Sequence, residues 1–242
     1  MGWWWPLLAA PFVGSLLGVL IARLPRDAPV ALARSRCDHC GAPIAPRDLV
    51  PLLSYVVLRG CCRRCRAVIP AFHWRIELAA LLIPAAALVA GIGGAGLWVV
   101  CVAGWLLLAL AWIDAETMLL PDALTLPLFL TGLGATWWLR PEALLYHALA
   151  AGLAFLLLNE VGRLYRRVRG REGLGAGDPK LLGAIGAWVG LVNLPAVLLG
   201  SAVAGLAWAL LMRVRGEAIG MNTALPFGPF LAVAGFLVLI AG

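Results

Sequence analysis

Eight apolar blocks divide this chain, at roughly 6–22, 76–92, 97–113, 123–139, 143–162, 181–194, 195–212 and 227–242. Most approach the roughly 17–25 residues that an α-helix needs to cross a bilayer. The short block 181–194 can be extended back to Pro179. Blocks of this length at this spacing leave no room for a large soluble domain in 242 residues. Composition agrees: 63% of residues are hydrophobic and 13% charged, against about 25% charged in a soluble domain. The expectation is an all-α polytopic membrane protein of about eight transmembrane helices. The first block does not read as a cleaved signal peptide. MGWWWPLL carries no Lys or Arg, and the positive charge, Arg23 and Arg26, comes after the block. Trp3, Trp4 and Trp5 suit an interfacial aromatic belt.

Charge orients the blocks. Ten arginines lie in the loop 23–75, five arginines and Lys180 in the loop 163–180, and Arg213 and Arg215 in the loop 213–226, whereas the opposite loops hold only Arg140. Eight spans put the three basic loops on one side, which the positive-inside rule makes cytoplasmic. Both termini then lie outside, and the turn 114–122 faces the cytoplasm. The formal net charge of +7 follows from this bias. The basic residues are scattered without interleaved aromatics, which argues against a nucleic-acid partner. Orientation in the bilayer and contact with anionic headgroups explain them more simply.

Within the first basic loop stand two knuckles, Cys37-x-x-Cys40 and Cys62-x-x-Cys65. Paired C-x-x-C knuckles suit a tetrahedral four-cysteine zinc site, although their separation is slightly beyond the usual ribbon range. Gly41 and Gly60 supply turns beside them. Redox chemistry and metal-free thiols are the rival readings; disulfides are disfavoured in the reducing cytoplasm. Cys61 stands as an alternative ligand to Cys62, His39 as a bystander and Cys101 as a small apolar side chain in a span. A site closed by four thiolates keeps no coordination position for chemistry, so its role is to stabilise a loop with little core of its own.

Acidic residues at span edges carry the chemical information. Several have ordinary explanations: Glu77 near a helix start beside Arg75, Glu160 three residues before Arg163, and His147 as a buried, hydrogen-bonded histidine. Two places resist dismissal. Asp114 ends the third span, where unpaired carbonyls disfavour a charged carboxylate. Asp122 follows Pro121 and reads as an N-cap. Asp178 precedes Pro179 and also reads as an N-cap. The glycines before it, Gly173, Gly175 and Gly177, are more than a cap needs and indicate a bent or closely approached backbone. Phosphate loops are excluded, because the stretch lacks both G-x-G-x-x-G and G-x-x-x-x-G-K-[ST]. Asp114 and Asp178 fall at the same cytoplasmic edge. Two such aspartates can share a proton, one acting as base on a water while the other protonates a carbonyl. From the helix ends alone, Asp114 is the neutral partner and Asp178 the anion.

With these residues in view, the chain resembles the bacterial type IV prepilin peptidases, bifunctional leader peptidase/N-methyltransferases of the GxGD aspartyl protease type. The likeness runs through GSLLGVLIARLP (14–25), SRCDHCGAPI (35–44), DLVPLLSYVVLRGCCRRC (48–65), WIDAETMLLPD (112–122), GLGAGDPKLLGAIGAWVG (173–190) and LPFGPFLAVAG (225–235). It implies Asp114 and Asp178 as the catalytic pair, the latter within Gly175-Ala176-Gly177-Asp178, with Gly175, Gly177 and Lys180 supporting them. It implies Cys37, Cys40, Cys62 and Cys65 as zinc ligands in a small zinc-ribbon-like cytoplasmic loop. The organisation expected is an N-terminal region 6–92, with the Cys-rich loop 24–75 between two spans, and a peptidase domain 95–242. The implied reaction is removal of a short basic leader from prepilins and pseudopilins at the cytoplasmic face of the bacterial inner membrane. Methylation of the new N-terminus by S-adenosylmethionine follows in many members, although no separate cofactor-binding fold is visible in this chain. Pro179 and Cys61 depart from the family pattern. Recognition of a basic leader would fall to Glu116, Asp122 or Glu172 and to an apolar helix lodged among the spans, where Gly183, Gly186 and Gly190 permit close approach. A transporter or channel, whose charges usually sit nearer the bilayer midplane, and a non-catalytic zinc-stabilised scaffold are the competing classes.

Overall fold

The computed structural model describes residues 4–30, 35–37, 39–171, 173–216 and 225–242. Trp3, Asp38, Glu172 and part of the third basic loop, 217–224, fall outside them. The described chain is mostly helical. Its helices are α1 (Trp5–Arg23), α2 (Leu53–Val57), α3 (Phe72–Val89), α4 (Gly94–Thr117), α5 (Asp122–Leu139), α6 (Leu144–Arg169), α7 (Asp178–Val214) and α8 (Gly228–Ala241). Two compact units divide at α4, Met1–Cys101 and Val102–Gly242.

Every apolar block falls on helix. Five helical stretches, containing α1, α3, α4, α6 and α7, are long and apolar enough to cross a membrane. Helix α8 is shorter at 14 residues. Helix α5 is diluted by threonines, whose hydroxyls bond back to carbonyls one turn earlier, as Thr125 does to Pro121 and Thr136 to Gly132. That arrangement removes a donor that hydrocarbon could not satisfy. Leu206, Val214 and Val89 are among many large apolar side chains left exposed. Apolar cover on this scale belongs against lipid.

In the first unit, α1 packs on α3 through a stripe of small residues. Ala10, Gly14 and Gly18 lie one turn apart and buried. A Cβ on Gly14 would come within 2.6 Å of the Glu77 Cα, so only glycine lets these backbones meet. Glu77 was expected to serve the start of its helix. Instead its buried carboxylate accepts the backbone N–H of Leu52 at 2.6 Å.

In the second unit the first arm of α7 is the core. Every residue from Leu181 to Gly190 is buried, among contacts from α5, α6 and α8. Gly183 and Gly186 face the carbonyls of Ala151 and Ala150 on α6, and Trp188 lies on Gly132 of α5 while donating its indole N–H to Leu128 O.

The sequence blocks place a span boundary between residues 194 and 195; the chain turns earlier, at Gly190. Its φ of 72° and ψ of 174° are open to essentially no residue but glycine. The turn is a reversal. Ile185 packs on Gly235 and Asn193 lies near Gly242, whereas beyond the turn Gly200 meets Ala234 and Gly205 meets Phe230. The first arm therefore runs parallel to α8 and the second antiparallel to it. Gly190 is thus the point of reversal and also a place of close approach, since a Cβ there would lie 3.0 Å from Tyr146 Cε1 and 3.2 Å from His147 Nε2 on α6. The backbone groups freed there find side chains: His147 Nδ1–H donates to Ala187 O, Val192 N–H donates to the Tyr146 hydroxyl, and the Asn193 amide donates to Val189 O. Backbone at membrane depth must be satisfied in this way. Pro195 sits inside the second arm without ending it.

Candidate active site and candidate metal centre

Asp114 lies in the last turn of α4, which continues to Thr117 and closes through left-handed Met118 (φ 54°). Its side chain is 4% exposed, and its Oδ2 accepts the N–H of Gly228 at 2.9 Å. Gly228 opens α8. The carboxylate thus meets the positive end of one helix while riding on the negative end of another. The two ends act in opposite senses, so the position of Asp114 in α4 does not by itself make it the neutral partner. Sequence reasoning missed Gly228; the available signal was the Gly-Pro step before an apolar run, the signature of a helix start.

Asp178 is also 4% exposed. It is the first helical residue of α7, and Gly177 occupies the cap position. Its Oδ2 reaches backward to accept Gly175 N–H at 3.0 Å. A forward-bonding N-cap was expected, and this backward bond replaces it. The glycines act by close approach: a Cβ on Gly175 would lie 3.1 Å from Asp178 Oδ2, and one on Gly177 would lie 2.6 Å from the Leu120 Cβ. None of Gly173, Gly175 and Gly177 needs a positive φ.

The two carboxyl groups feel each other electrostatically. Each fixes one oxygen on a glycine N–H. Among the described residues neither second oxygen has a hydrogen-bond partner, and no buried side-chain oxygen is left unsatisfied, so both second oxygens reach accessible surface. The turn 118–121 joins the halves of the site, since Leu120 packs on Gly177 and Lys180 Nζ donates to Asp122 Oδ1 at 2.7 Å and Oδ2 at 2.9 Å. Asp122 is therefore no N-cap; Pro121 holds that position. Of the acids expected to read a basic leader, Asp122 is taken by Lys180, Glu116 accepts the Trp112 indole N–H, and Glu172 lies outside the described residues. Glu160 pairs with Arg163 as expected.

The cysteine loop of the first unit contains the same fold twice. Cys37 N–H bonds Ala42 O while Gly41 N–H bonds Cys37 O; Cys62 N–H bonds Ala67 O while Arg66 N–H bonds Cys62 O. Gly41 (φ 67°) and Arg66 (φ 61°) take the same left-handed position. A bridge flanks each knuckle, Arg36 with Pro43 and Cys61 with Val68. Cys61 thus occupies the place of Arg36, and Cys62 that of Cys37. The thiols of Cys37, Cys40, Cys62 and Cys65 lie within 4.8 Å of one another, with Cys37 and Cys65 Sγ 3.8 Å apart. An edge of about 3.8 Å is what a tetrahedron of ~2.3 Å zinc–sulfur bonds requires. Backbone N–H groups of Cys65 and Arg64 draw the Cys62 thiol down to about 6. At Cys65 the Ala67 N–H acts downward, but burial and the thiols of Cys40, Cys62 and Cys37 outweigh it and push the group up to about 11. Cys62 is thus the readier thiolate and Cys65 the more reluctant one, an asymmetry that a bound cation would relieve.

A membrane protein with two buried aspartates, each held at a helix start of one unit, and four gathered thiols in the other defines a class in which a carboxyl pair buried among apolar helices accompanies a metal-type loop. The chain belongs to the type IV leader peptidase family. Residues 101–210 match that family, and residues 8–90 match the bacterial peptidase A24 N-terminal domain. Proteins named prepilin leader peptidase/N-methyltransferase are similar throughout. That of Burkholderia pseudomallei is 40% identical, covering 95% of this chain and 82% of the relative. The Aeromonas hydrophila protein is 36% identical, covering 95% and 87%, and that of Pseudomonas aeruginosa 36%, covering 98% and 89%. No solved structure matches the chain.

Proposed function

We propose that this protein is a membrane aspartyl endopeptidase that removes the leader from type IV prepilins and pseudopilins, and that it methylates the new N-terminus. The observation that carries the first half is the pair of buried carboxyl groups, each with one oxygen anchored on a glycine N–H and one left accessible. The names of the relatives supply the substrate and the second activity.

In this reading one aspartate takes a proton from water as the water attacks the scissile carbonyl, and the other donates a proton to the carbonyl oxygen. Gly228 and Gly175 fix the anchored oxygens, so the free oxygens are oriented before substrate arrives. Close carboxyl groups titrate as a pair, and the free oxygens divide the two tasks between them. Lys180 and Asp122 tie the start of α7 to the turn that follows Asp114. Cys37, Cys40, Cys62 and Cys65 would hold a structural zinc, for which their tetrahedral donor set is suited. Zinc there cross-links the two knuckles and leaves chemistry to the aspartates. S-adenosylmethionine, when bound, supplies an electrophilic methyl group.

In this reading the protein lies in the bacterial inner membrane with both termini outside and the basic loops and aspartates at the cytoplasmic edge. The reversal at Gly190 supports this topology, because it returns the second arm of α7 toward the level from which the first began. Residues 6–92 form the N-terminal region and 95–242 the peptidase domain. The test is leader release from a prepilin by the detergent-purified protein. Asp114→Asn and Asp178→Asn should each lower cleavage by about 10³-fold or more. Cleavage at the wild-type rate by either variant would remove that aspartate from the chemistry.

A further inference from the structure

The segment between the two cysteine knuckles is tied to the long helices of the first unit. Leu52, just before α2, donates its N–H to the Glu77 carboxylate at 2.6 Å. Glu77 stands five residues after Phe72, the start of α3, and its Cα lies against Gly14 in the middle of α1. Five residues of helix rise about 7–8 Å, which is about the depth of one polar interface of a bilayer. Both α1 and α3 are long and apolar enough to cross a membrane. The start of α2 is therefore held at the level where those helices would pass from headgroups into hydrocarbon. Leu52 makes the connection from left-handed backbone, φ 60°, so the junction is a constrained one.

The outward side of α2 is apolar. Ser54, Tyr55 and Leu58 turn inward, toward α1 and α3, whereas Leu53, Val56 and Val57 stand 61%, 71% and 65% exposed on the other side. Their spacing, i, i+3 and i+4, is that of one helix face. Beside this face opens a hollow of about 340 Å³ lined by Val57, Leu58, Arg59, Arg63 and Arg66. Arg63 is committed to Asp48. Arg59 and Arg66 make no ion pair among the described residues. Both hold left-handed backbone, φ 52° and 61°, where glycine or asparagine would sit at less cost. Turn bonds fix them there, Arg59 N–H to Val56 O and Arg66 N–H to Cys62 O, each at 3.0 Å. Two cations without partners thus flank an exposed apolar face.

We propose that this face is an interfacial anchor: Leu53, Val56 and Val57 enter the headgroup–acyl boundary of the leaflet that α1 and α3 cross, and Arg59 and Arg66 take the phosphates of anionic phospholipids. Interfacial segments bind through buried apolar area together with attraction to anionic headgroups, and this surface offers both side by side at the matching depth. A free phosphate would fill the hollow and leave the apolar face in water, so the chemistry favours the lipid. Docking here continues the lipid-facing surface of the two long helices onto the loop. The cysteine loop then lies on the membrane, and its second knuckle presents a lipid contact through Arg66. The inference is independent of the peptidase and methyl-transfer readings and needs only that α1 and α3 span a bilayer.

Photo-cross-linking of the full-length chain in nanodiscs tests this. A benzophenone amino acid in place of Val57 captures whatever covers the face, and mass analysis identifies the adduct. Phospholipid adducts are expected, at least about threefold more abundant in phosphatidylglycerol than in phosphatidylcholine. Arg59→Gln combined with Arg66→Gln should erase that difference. Hydrogen exchange of the backbone amides of 53–60 in the wild-type protein should also be slower in phosphatidylglycerol, and this reading stands even if the variants fail to fold. Adducts to residues 102–242 or to a second copy of the chain would overturn the anchor. So would adducts to neither lipid nor protein, or equal labelling and exchange in the two lipids. The two leaflets of such a nanodisc are alike, so the result does not depend on which side is cytoplasmic. A wild-type protein that releases no leader would strike the peptidase reading and leave this one untouched.

Discussion

The four cysteines and the two aspartates are assembled by opposite means. Each cysteine knuckle is local: a thiol, a left-handed turn and a return bond within six residues, repeated once. The aspartates come from α4 and α7, and each is steadied by a glycine N–H, in one case from α8, 114 residues away in sequence. A local site can be built before the rest of the unit has folded. The dispersed one exists only once α4, α7 and α8 have packed. The difference suits the tasks proposed for them. Four matched thiols have no free donor position and hold a loop together. Two carboxyl groups anchored on one side only keep an oxygen each for reaction.

If the dispersed site depends on backbone proximity, glycine substitutions should damage it most. A Cβ at Gly228 would stand 2.7 Å from Asp114 Oδ2 and 2.9 Å from its Cγ. An aspartate is too short to swing clear while keeping its bond. Gly228→Ala should therefore lower leader cleavage by about 10²-fold, the scale for displacing a positioned group by a fraction of an ångström. Thermal unfolding should move much less than cleavage. Equal cleavage by the variant and wild type would show that Asp114 is not held by α8 during catalysis.

The local site should fail in another currency. Cys62→Ser should lose the bound metal, read by elemental analysis, and admit protease in the loop 35–70. Cys61→Ser should retain the metal, because Cys61 lies in the flanking bridge. Leader cleavage by Cys62→Ser should fall less than tenfold if the aspartates alone do the chemistry. Loss of metal from Cys61→Ser with retention in Cys62→Ser would reverse the ligand assignment.

The same contrast governs what could be read in advance. Two C-x-x-C pairs mark a possible four-thiol cluster by spacing, and only the fold shows that Cys62 rather than Cys61 joins it. Apolar blocks located the helices, because length and hydropathy are local properties. The fold-back at Gly190 was misplaced by a few residues, since GAWVG continues the apolar run without a polar break. Nothing in the sequence alone says that His147 and Tyr146 wait on another helix to satisfy the reversal. Asp114 and Asp178 stood out as acids at span edges, yet the capping rules misjudged Asp178 and Asp122. Those rules consider a helix and its own neighbours. Here the partners were Gly175 behind and Lys180 across. Glu77 was read as a helix-end anion for the same reason: its partner, Leu52, lies 25 residues earlier.

A smaller effect should mark the link between the halves of the dispersed site. The Lys180 and Asp122 side chains are 47% and 69% exposed, and exposed pairs are weak and screened by salt. Lys180→Met or Asp122→Asn should lower cleavage by about two- to fivefold at low ionic strength. The deficit should shrink as salt is raised, because the wild-type pair is then screened too. The exchange Lys180→Asp with Asp122→Lys should recover part of the loss. A salt-independent deficit of 10²-fold would instead mean that Lys180 touches the reacting groups.

The smallest effect belongs to the pair that joins the segment between the cysteine knuckles to the second of them. Arg63 holds the Asp48 carboxyl below the ordinary carboxylate range, chiefly through their hydrogen bonds. Asp48 gains this partner on folding, so its folded value lies below its unfolded one. Its contribution is present above about pH 4, the ordinary Asp value, and is lost as pH falls through the lowered folded value. The Arg63 side chain is 48% exposed although Asp48 is only 9% exposed, and solvent around the cation keeps the effect slight. Asp48→Asn should therefore change the loop's resistance to protease only marginally at neutral pH, and the difference from wild type should vanish on acidification. The thiolate cluster behaves differently under acid, since its ligands must be deprotonated to hold metal. Metal release should consequently precede loss of the Asp48 contribution as pH is lowered. If Asp48→Asn released metal at neutral pH, the ion pair would belong to the metal site's own support and the local site would be less self-contained than its repeated knuckles suggest.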